Sequence, residues 1–83
     1  MVTVLRAHGL RVVIYANDHR PAHVHAFGGG EAKINLLSGV GGAPGLVWAD
    51  AMTLGEVRRA MGLVAEQQAF LLARWEDIHG RVD

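Results

Sequence analysis

The sequence predicts a single α+β domain: an N-terminal antiparallel sheet of about four short strands, with one long C-terminal helix packed on one face. Residues 2–48 carry short β-branched runs punctuated by glycine, which is typical of strands and tight turns. Residues 53–79 carry apolar residues at helical spacing instead. Because neither half can bury its apolar face alone, we expect the 83 residues to form one domain, 1–83, in which sheet and helix cover each other.

The first two strands are predicted at VTVLRA and LRVVIYA, two β-branched runs joined by His8-Gly9. A connection of two residues is typical of a β-hairpin. Asn17-Asp18 ends the second run. Pro21 then argues against a central strand at that point, because proline has no N–H to donate.

The second hairpin is predicted between HVHAF and EAKINLL, which flank the three glycines at 28–30. If Phe27 pairs with Glu31, the ladder continues with Ala26–Ala32, His25–Lys33, Val24–Ile34 and His23–Asn35. Because side chains alternate between the two faces, this register separates an apolar set from a polar one. The apolar set is expected to face the core: Val24, Ala26, Ala32, Ile34 and Leu36. The polar set is expected to face solvent: His23, His25, Lys33 and Asn35.

The helix is predicted to begin after Thr53, because Thr53 and Glu56 form the Thr-x-x-Glu capping-box pattern. An apolar stripe then follows at spacings of four and three residues. The stripe consists of Val57, Met61, Val64, Gln68, Leu71, Trp75 and Ile78. Gln68 is its one polar member, and Gly80 is a typical stop. A single helix of this length spans about 39 Å, so we expect one end to project beyond the sheet.

Composition restricts the function classes. Eight Lys and Arg balance eight Asp and Glu, so the net charge gives no general attraction to nucleic acid or membrane, and RNA binding needs a local patch. The absence of cysteine excludes disulfides and thiolate metal sites. No apolar run approaches about 18 residues and no signal core is visible, so we expect a cytoplasmic protein without a membrane span. Because so small a chain buries limited surface alone, we also expect a partner or a homodimer.

The segment NDHRPAHVHAF, residues 17–27, holds three of the five histidines. Spacing alone allows three interpretations: a metal site, a metal-free catalytic or anion-binding site, and a solvated strand face. His23 and His25 are two residues apart, so both imidazoles point the same way on a strand, and His19 or Asp18 could supply a further ligand to a metal. Lys33 lies across from His25 and disfavours a divalent cation, so we expect no metal and no cofactor.

The metal-free interpretation gives each residue a chemical role. His23 and His25 would act as general base and general acid, with His19 assisting. Lys33 would stabilise the charge that develops on phosphorus. The candidate substrate-binding residues are Asn35, Arg20 and Asp18. Asp18 has a second interpretation, in which its carboxylate bonds to nearby backbone amides in the Asn-Asp turn.

NDHRPAHVHAF, followed by EAKINL and a late LLARWED, resembles the bacterial family known as domain of unknown function 4160. That family carries an Asn-Asp-His-x-Pro-Pro-His-Phe-His stretch, a Glu-Ala strand and a long helix with a late Trp. The matching positions are Asn17, Asp18, His19, Pro21, His23, His25, Glu31, Ala32 and Trp75. Ala22 departs from the second proline and Val24 from the aromatic residue. The resemblance covers nearly the whole chain.

The resemblance implies a toxin-like component of a bacterial type II toxin–antitoxin module. Its cognate partner would be a small antitoxin-like protein, which in such modules is often a domain of unknown function 2442. Together with the histidine cluster, this predicts RNA cleavage by a ribonuclease of the mRNA interferase kind, or RNA binding. The alternatives are a non-catalytic interaction module on the antitoxin or regulatory side, and a histidine metal-binding protein.

Overall fold

The computed structural model describes residues 1–80 as an α+β fold, with an antiparallel sheet and two helices. The sheet contains five strands in chain order, so each strand pairs with its sequence neighbours. The strands are β1 (Val2–Ala7), β2 (Leu10–Ile14), β3 (His23–Phe27), β4 (Glu31–Asn35) and β5 (Gly45–Asp50). The helices are α1 (Leu54–Glu66) and α2 (Gln68–His79), and a 3₁₀ turn lies at Val40–Gly42.

Both predicted hairpins are confirmed. His8 and Gly9 connect β1 to β2 with positive φ values of 55° and 75°, the backbone conformation that a tight two-residue hairpin turn requires. β3 and β4 pair in the predicted register throughout, starting from Phe27 opposite Glu31. Alternation of apolar and polar residues was therefore sufficient to identify the faces of this hairpin.

The prediction of about four strands misses β5. Its apolar residues Leu46, Val47 and Trp48 have high strand propensity, but they are 44%, 47% and 40% exposed. The sequence of β5, GLVWAD, has neither the β-branched run that predicted β1 and β2 nor the alternation of apolar and polar residues that predicted β3 and β4. β5 pairs with β4 on one side and forms an edge of the sheet on the other.

The prediction of one long helix is replaced by two helices that meet at Gln67. Gln67 has φ −105° and ψ 18°, outside the helical range. The next residue, Gln68, donates from its side-chain amide to the carbonyls of Leu36 at 2.6 Å and Gly42 at 2.7 Å. These bonds join the start of α2 to the chain that follows β4, which explains the polar residue in the apolar stripe. Within residues 1–80, no helix has the length and apolar character that a membrane crossing needs.

The core lies between the predicted apolar face of the sheet and the two helices. The sheet contributes Leu10, Val12, Ile14, Val24, Ala26, Ala32, Ile34 and Leu36, and the helices contribute Ala60, Leu63, Val64, Leu71 and Trp75. We call this side of β3 and β4 the core face. The opposite side, which carries the odd-numbered residues from His23 to Asn35, is called the histidine face below.

Glu56 joins α1 to the hairpin loop between β3 and β4. Its carboxylate accepts hydrogen bonds from the backbone N–H of Thr53 at 3.0 Å and of Gly29 at 2.6 Å, while the Thr53 hydroxyl accepts from the Glu56 N–H. The predicted capping box is therefore present. The backbone hydrogen bonds from Thr53 and then Gly29 lower the pKa of Glu56 below its ordinary value, because they favour the charged form.

Two glycines give a matched pair of stability predictions. A Cβ added at Gly30 would lie 2.1 Å from the Asp50 carbonyl oxygen, whereas one added at Gly62 in α1 would meet nothing within 4 Å. We expect Gly30→Ala to destabilise the fold by about 1–3 kcal/mol or more, because backbone atoms must move. Gly62→Ala should stabilise it by about 0.5–1 kcal/mol, because alanine loses less conformational freedom in a helix. Urea unfolding midpoints of both variants test this, and equal effects would contradict the packing described for β5.

Candidate functional site

The two strand histidines are buried, which corrects the expectation that their face is solvated. The side chains of His23 and His25 are 5% and 11% exposed. Lys33 and Asn35, on the same face, are half-buried. The predicted alternation is therefore correct, but the histidine face is covered by parts of the chain that the strand pattern does not reveal.

Aromatic rings account for much of that cover. The Tyr15 ring lies edge-on to His25 with 4.8 Å between ring centroids, and Trp48 of β5 lies 6.1 Å from the same imidazole. The ring of Trp75 in α2 packs against the His23 ring with 5.1 Å between their centroids. Replacing either histidine with alanine would therefore open a cavity, which differs from the neutral surface change expected for a solvated strand.

A backbone hydrogen bond fixes the orientation of the His23 ring. Its Nδ1 lies 2.8 Å from the Pro21 carbonyl oxygen. Because a carbonyl oxygen only accepts, Nδ1 must carry the proton. In the neutral imidazole Nε2 then has an unprotonated lone pair.

A carboxylate fixes the His25 ring in the same way. Its Nδ1 donates to Glu31 Oε2 at 2.9 Å, so the neutral ring again leaves Nε2 as the acceptor atom. The sequence analysis did not assign Glu31 a role. A signal was present, however, because Glu31 is the diagonal neighbour of His25 on the same face of the β3–β4 ladder, two residues from its partner Lys33.

Asp18 completes a three-residue cluster with the two histidines. Its Oδ2 lies 3.1 Å from His23 Nε2 and 3.7 Å from His25 Nε2. One ligand atom from each of the three side chains lies within 4.8 Å of the other two. Asp18 Oδ2 is buried, and no donor among residues 1–80 reaches it with hydrogen-bond geometry, in spite of the short distance to His23. The carboxylate therefore faces the imidazoles rather than the backbone amides of its turn.

The cluster brings three lone pairs together. With both histidines in the neutral form described above, two nitrogen lone pairs and one carboxylate oxygen face one another in a nearly buried space. Such an arrangement is unfavourable unless positive charge lies between the atoms. That charge is either a proton or a metal ion.

The remaining predicted histidine and lysine lie outside the cluster. His19 is exposed in the loop and is not one of the three grouped ligands, so of the two further ligands that the sequence allowed, the structure groups Asp18 with the strand histidines and leaves His19 out. Lys33 is paired across the strands with His25 and with Trp48. Within residues 1–80, its ammonium makes no hydrogen bond or ion pair, so it is available to an anion that approaches this face.

The structure brings together two of the predicted substrate-binding residues. Arg20 and Asn35 line one cavity of about 300 Å³. Two lining residues connect the cavity to His23. The Pro21 carbonyl accepts the hydrogen bond from His23 Nδ1, and Asn35 is the cross-strand partner of His23. Arg20, a positively charged residue, therefore lines a cavity adjacent to the cluster.

Unpartnered polar atoms concentrate around His23. Within residues 1–80, the buried side-chain atoms without a hydrogen bond are Asp18 Oδ2, Asn35 Oδ1 and Trp75 Nε1. Each belongs to a residue that contacts His23 or pairs with it across the strands. Because buried polar groups in folded proteins are normally satisfied, a concentration of exceptions indicates a place where a ligand or ion supplies the missing partner.

A comparison with known protein families identifies the chain. A family model described as a domain of unknown function (DUF4160) matches residues 9–76, which is most of the chain and includes every residue of the cluster. The chain therefore belongs to that family, as the motif resemblance implied. No curated protein and no solved structure matches the chain.

The contact between Asp18 and the histidines gives a prediction about stability. In the presence of a chelator at about pH 8, where free imidazole is neutral, we expect Asp18→Asn to raise the free energy of unfolding by about 1 kcal/mol. The substitution removes a buried charged oxygen that lacks a hydrogen bond. The new amide N–H can donate to an imidazole lone pair. Urea unfolding measures the change, and Asp77→Asn, at an exposed position of α2, is the matched control with an expected effect below about 0.5 kcal/mol. A clear loss of stability in Asp18→Asn would instead indicate that Asp18 pairs with an imidazolium.

Proposed function

We propose that this member of the DUF4160 family is the toxin-like component of a bacterial toxin–antitoxin module and acts on RNA in the cytoplasm. The observation that carries the proposal is the preorganised cluster of Asp18, His23 and His25, in which outer hydrogen bonds turn both Nε2 atoms toward one carboxylate. Groups held in this way need no rearrangement before they react. The family resemblance supplies the biological context, and the cluster supplies the chemistry.

RNA suits the groups around the cluster. Cleavage of RNA by its own 2′-hydroxyl needs a base that takes the hydroxyl proton, an acid that gives a proton to the leaving 5′-oxygen, and cations that stabilise the charge on the phosphate. The Asp18 carboxylate would stabilise the positive charge that His23 or His25 gains when it takes a proton as a base. Arg20 lines the adjacent cavity, and the Lys33 ammonium lies on the same face. In this proposal Arg20 and Lys33 bind the phosphate, Asn35 contacts the nucleotide, and His19 lies at the exposed rim.

The edge strand β5 supports a role in partner binding, which is the second candidate function. Leu46, Val47 and Trp48 leave an apolar surface beside backbone groups that no strand within residues 1–80 pairs. A small antitoxin-like protein, such as a member of the domain of unknown function 2442 family, would add a strand to this edge. Because Trp48 also contacts His25, a partner on β5 would lie close to the cluster. A non-catalytic interaction module would use this surface alone.

Growth measurements separate these two candidates. Induced expression of the chain in a bacterium should arrest growth, and co-expression of the gene beside it should restore growth. We expect Asp18→Asn to relieve the arrest, with RNA-cleaving activity reduced by roughly 10²-fold or more, because the two imidazoles lose the carboxylate that stabilises positive charge on them. Asp77→Asn, on the exposed side of α2, should remain as toxic as the unmodified chain.

Soluble expression must be verified for each variant, so that loss of toxicity is not loss of protein. Normal growth with the unmodified chain at verified soluble expression would refute the toxin role and favour the interaction module. Equal toxicity of Asp18→Asn and the unmodified chain would refute the role of the cluster and leave the toxin role to another surface.

A further inference from the structure

We infer that Asp18, His23 and His25 bind one divalent transition-metal ion through the Asp18 carboxylate and the Nε2 atoms of both imidazoles. This inference rests on the same cluster as the proposed function and names its cofactor. It replaces the expectation of no metal, which depended on Lys33 lying across from His25. Lys33 does lie across from His25, but the hydrogen bond that orients the His25 ring is to the Glu31 carboxylate, which leaves Nε2 free for a metal.

The distances suit a metal ion. Ligand atoms lie about 2.0–2.2 Å from zinc, so two ligands of one ion lie about 3.0–3.6 Å apart at octahedral or tetrahedral angles. Asp18 Oδ2 lies 3.1 Å from His23 Nε2 and 3.7 Å from His25 Nε2, and all three ligand atoms lie within 4.8 Å of one another. Small side-chain adjustments therefore bring all three to a common centre.

The direction of the contacts favours a metal ion over a bridging proton. A proton shared between His23 Nε2 and Asp18 Oδ2 requires the oxygen to lie along the N–H direction. At 3.1 Å the pair nevertheless lacks hydrogen-bond geometry. Metal ligands need to point toward the ion and not toward each other. The buried oxygen without a hydrogen bond is then explained by the ion.

The outer hydrogen bonds match those of metal-binding histidines. A histidine ligand almost always donates its second N–H to a carboxylate or a backbone carbonyl, which fixes the tautomer and strengthens the ligand. His25 donates to the Glu31 carboxylate at 2.9 Å, and His23 donates to the Pro21 carbonyl at 2.8 Å. Two histidines that each have such a partner, and whose free nitrogens face one carboxylate, are not explained by strand packing alone.

The donor set restricts the metal and its use. Two imidazoles and one carboxylate suit zinc, iron, cobalt or nickel, whereas calcium and magnesium prefer oxygen ligands. Three protein ligands leave at least one position open, which is typical of catalytic rather than structural zinc. A water bound there would lose a proton near neutral pH and leave a hydroxide that can act as a base. That hydroxide would then replace the imidazoles as the base of the proposed reaction, and Arg20 would bind the phosphate.

Zinc binding to tag-free, chelator-treated protein tests the inference directly. We expect isothermal titration calorimetry with Zn²⁺ to show one equivalent bound, and Co²⁺ to give an absorption spectrum typical of nitrogen and oxygen ligands. Asp18→Asn should weaken Zn²⁺ binding by at least tenfold. Glu31→Gln should weaken it by about 10–100-fold while leaving all three ligands in place.

Two control variants make the result specific. His19→Ala removes the third histidine of the segment, which lies outside the cluster, and Asp77→Asn removes an exposed carboxylate, so both should bind Zn²⁺ like the unmodified chain. Circular dichroism should confirm that each variant is folded. Absence of Zn²⁺ binding, or binding that His19→Ala abolishes and Asp18→Asn does not, would overturn the inference.

The outcome for the metal is separate from the outcome for the proposed function. Binding is measured without RNA and without a growth readout. A chain that binds Zn²⁺ but never arrests growth contradicts the toxin role and keeps the metal site. A chain that arrests growth but binds no Zn²⁺ contradicts the metal site and keeps the toxin role.

Discussion

Two hydrogen bonds made by Nδ1 atoms, from His23 to the Pro21 carbonyl and from His25 to the Glu31 carboxylate, determine the chemistry of the site. Each removes one of the two possible ring orientations and leaves Nε2 as the free atom. Without them, two imidazoles near Asp18 would be ordinary polar groups able to donate to its carboxylate. With them, three acceptor atoms share one nearly buried space, and a positive species between them stabilises the site.

The fold supplies this arrangement by giving β3 two different faces. On one side, Val24 and Ala26 are fully buried in the core beneath the helices. On the other, the histidines are covered by Tyr15, which follows β2, by aromatic residues of β5 and α2, and by the loop that carries Asp18. A central strand packed on both sides holds its side chains firmly, and firm positions are what a metal or catalytic cluster needs. The polar atoms left without partners around His23 reduce stability, which is common where a site is arranged for function.

Much of the fold followed from local patterns. The alternation of residues in β3 and β4 was sufficient to predict their register and their core face, and Thr53 and Glu56 were sufficient to place the start of α1. Three features depended on contacts between distant residues. The helix break at Gln67 follows from bonds that Gln68 makes to chain 32 and 26 residues away. β5 lacks alternating burial, and the cover over the histidines comes from residues as distant as Trp75.

The site was predicted in part for the same reason. His23 and His25 were identified because their spacing places them on one face of a strand. The sequence could not show that the loop turns Asp18 inward and leaves His19 exposed, since neighbouring loop residues carry no periodic signal. The role of Glu31 follows from the register and needed only the diagonal neighbour to be considered. Arg20 and Asn35 line one cavity because Arg20 lies just before β3 in the sequence, and Asn35 is the cross-strand partner of His23, the first residue of β3.

The protonation of the two imidazoles is the most direct test of this account. Long-range ¹H–¹⁵N correlation NMR, recorded on the folded chain with chelator at about pH 8, identifies which nitrogen of each ring carries the proton. The account predicts that His23 and His25 are both Nδ1–H tautomers with unprotonated Nε2 atoms. A neutral Nε2–H tautomer of either ring would contradict it, because the lone pairs would then not converge on Asp18.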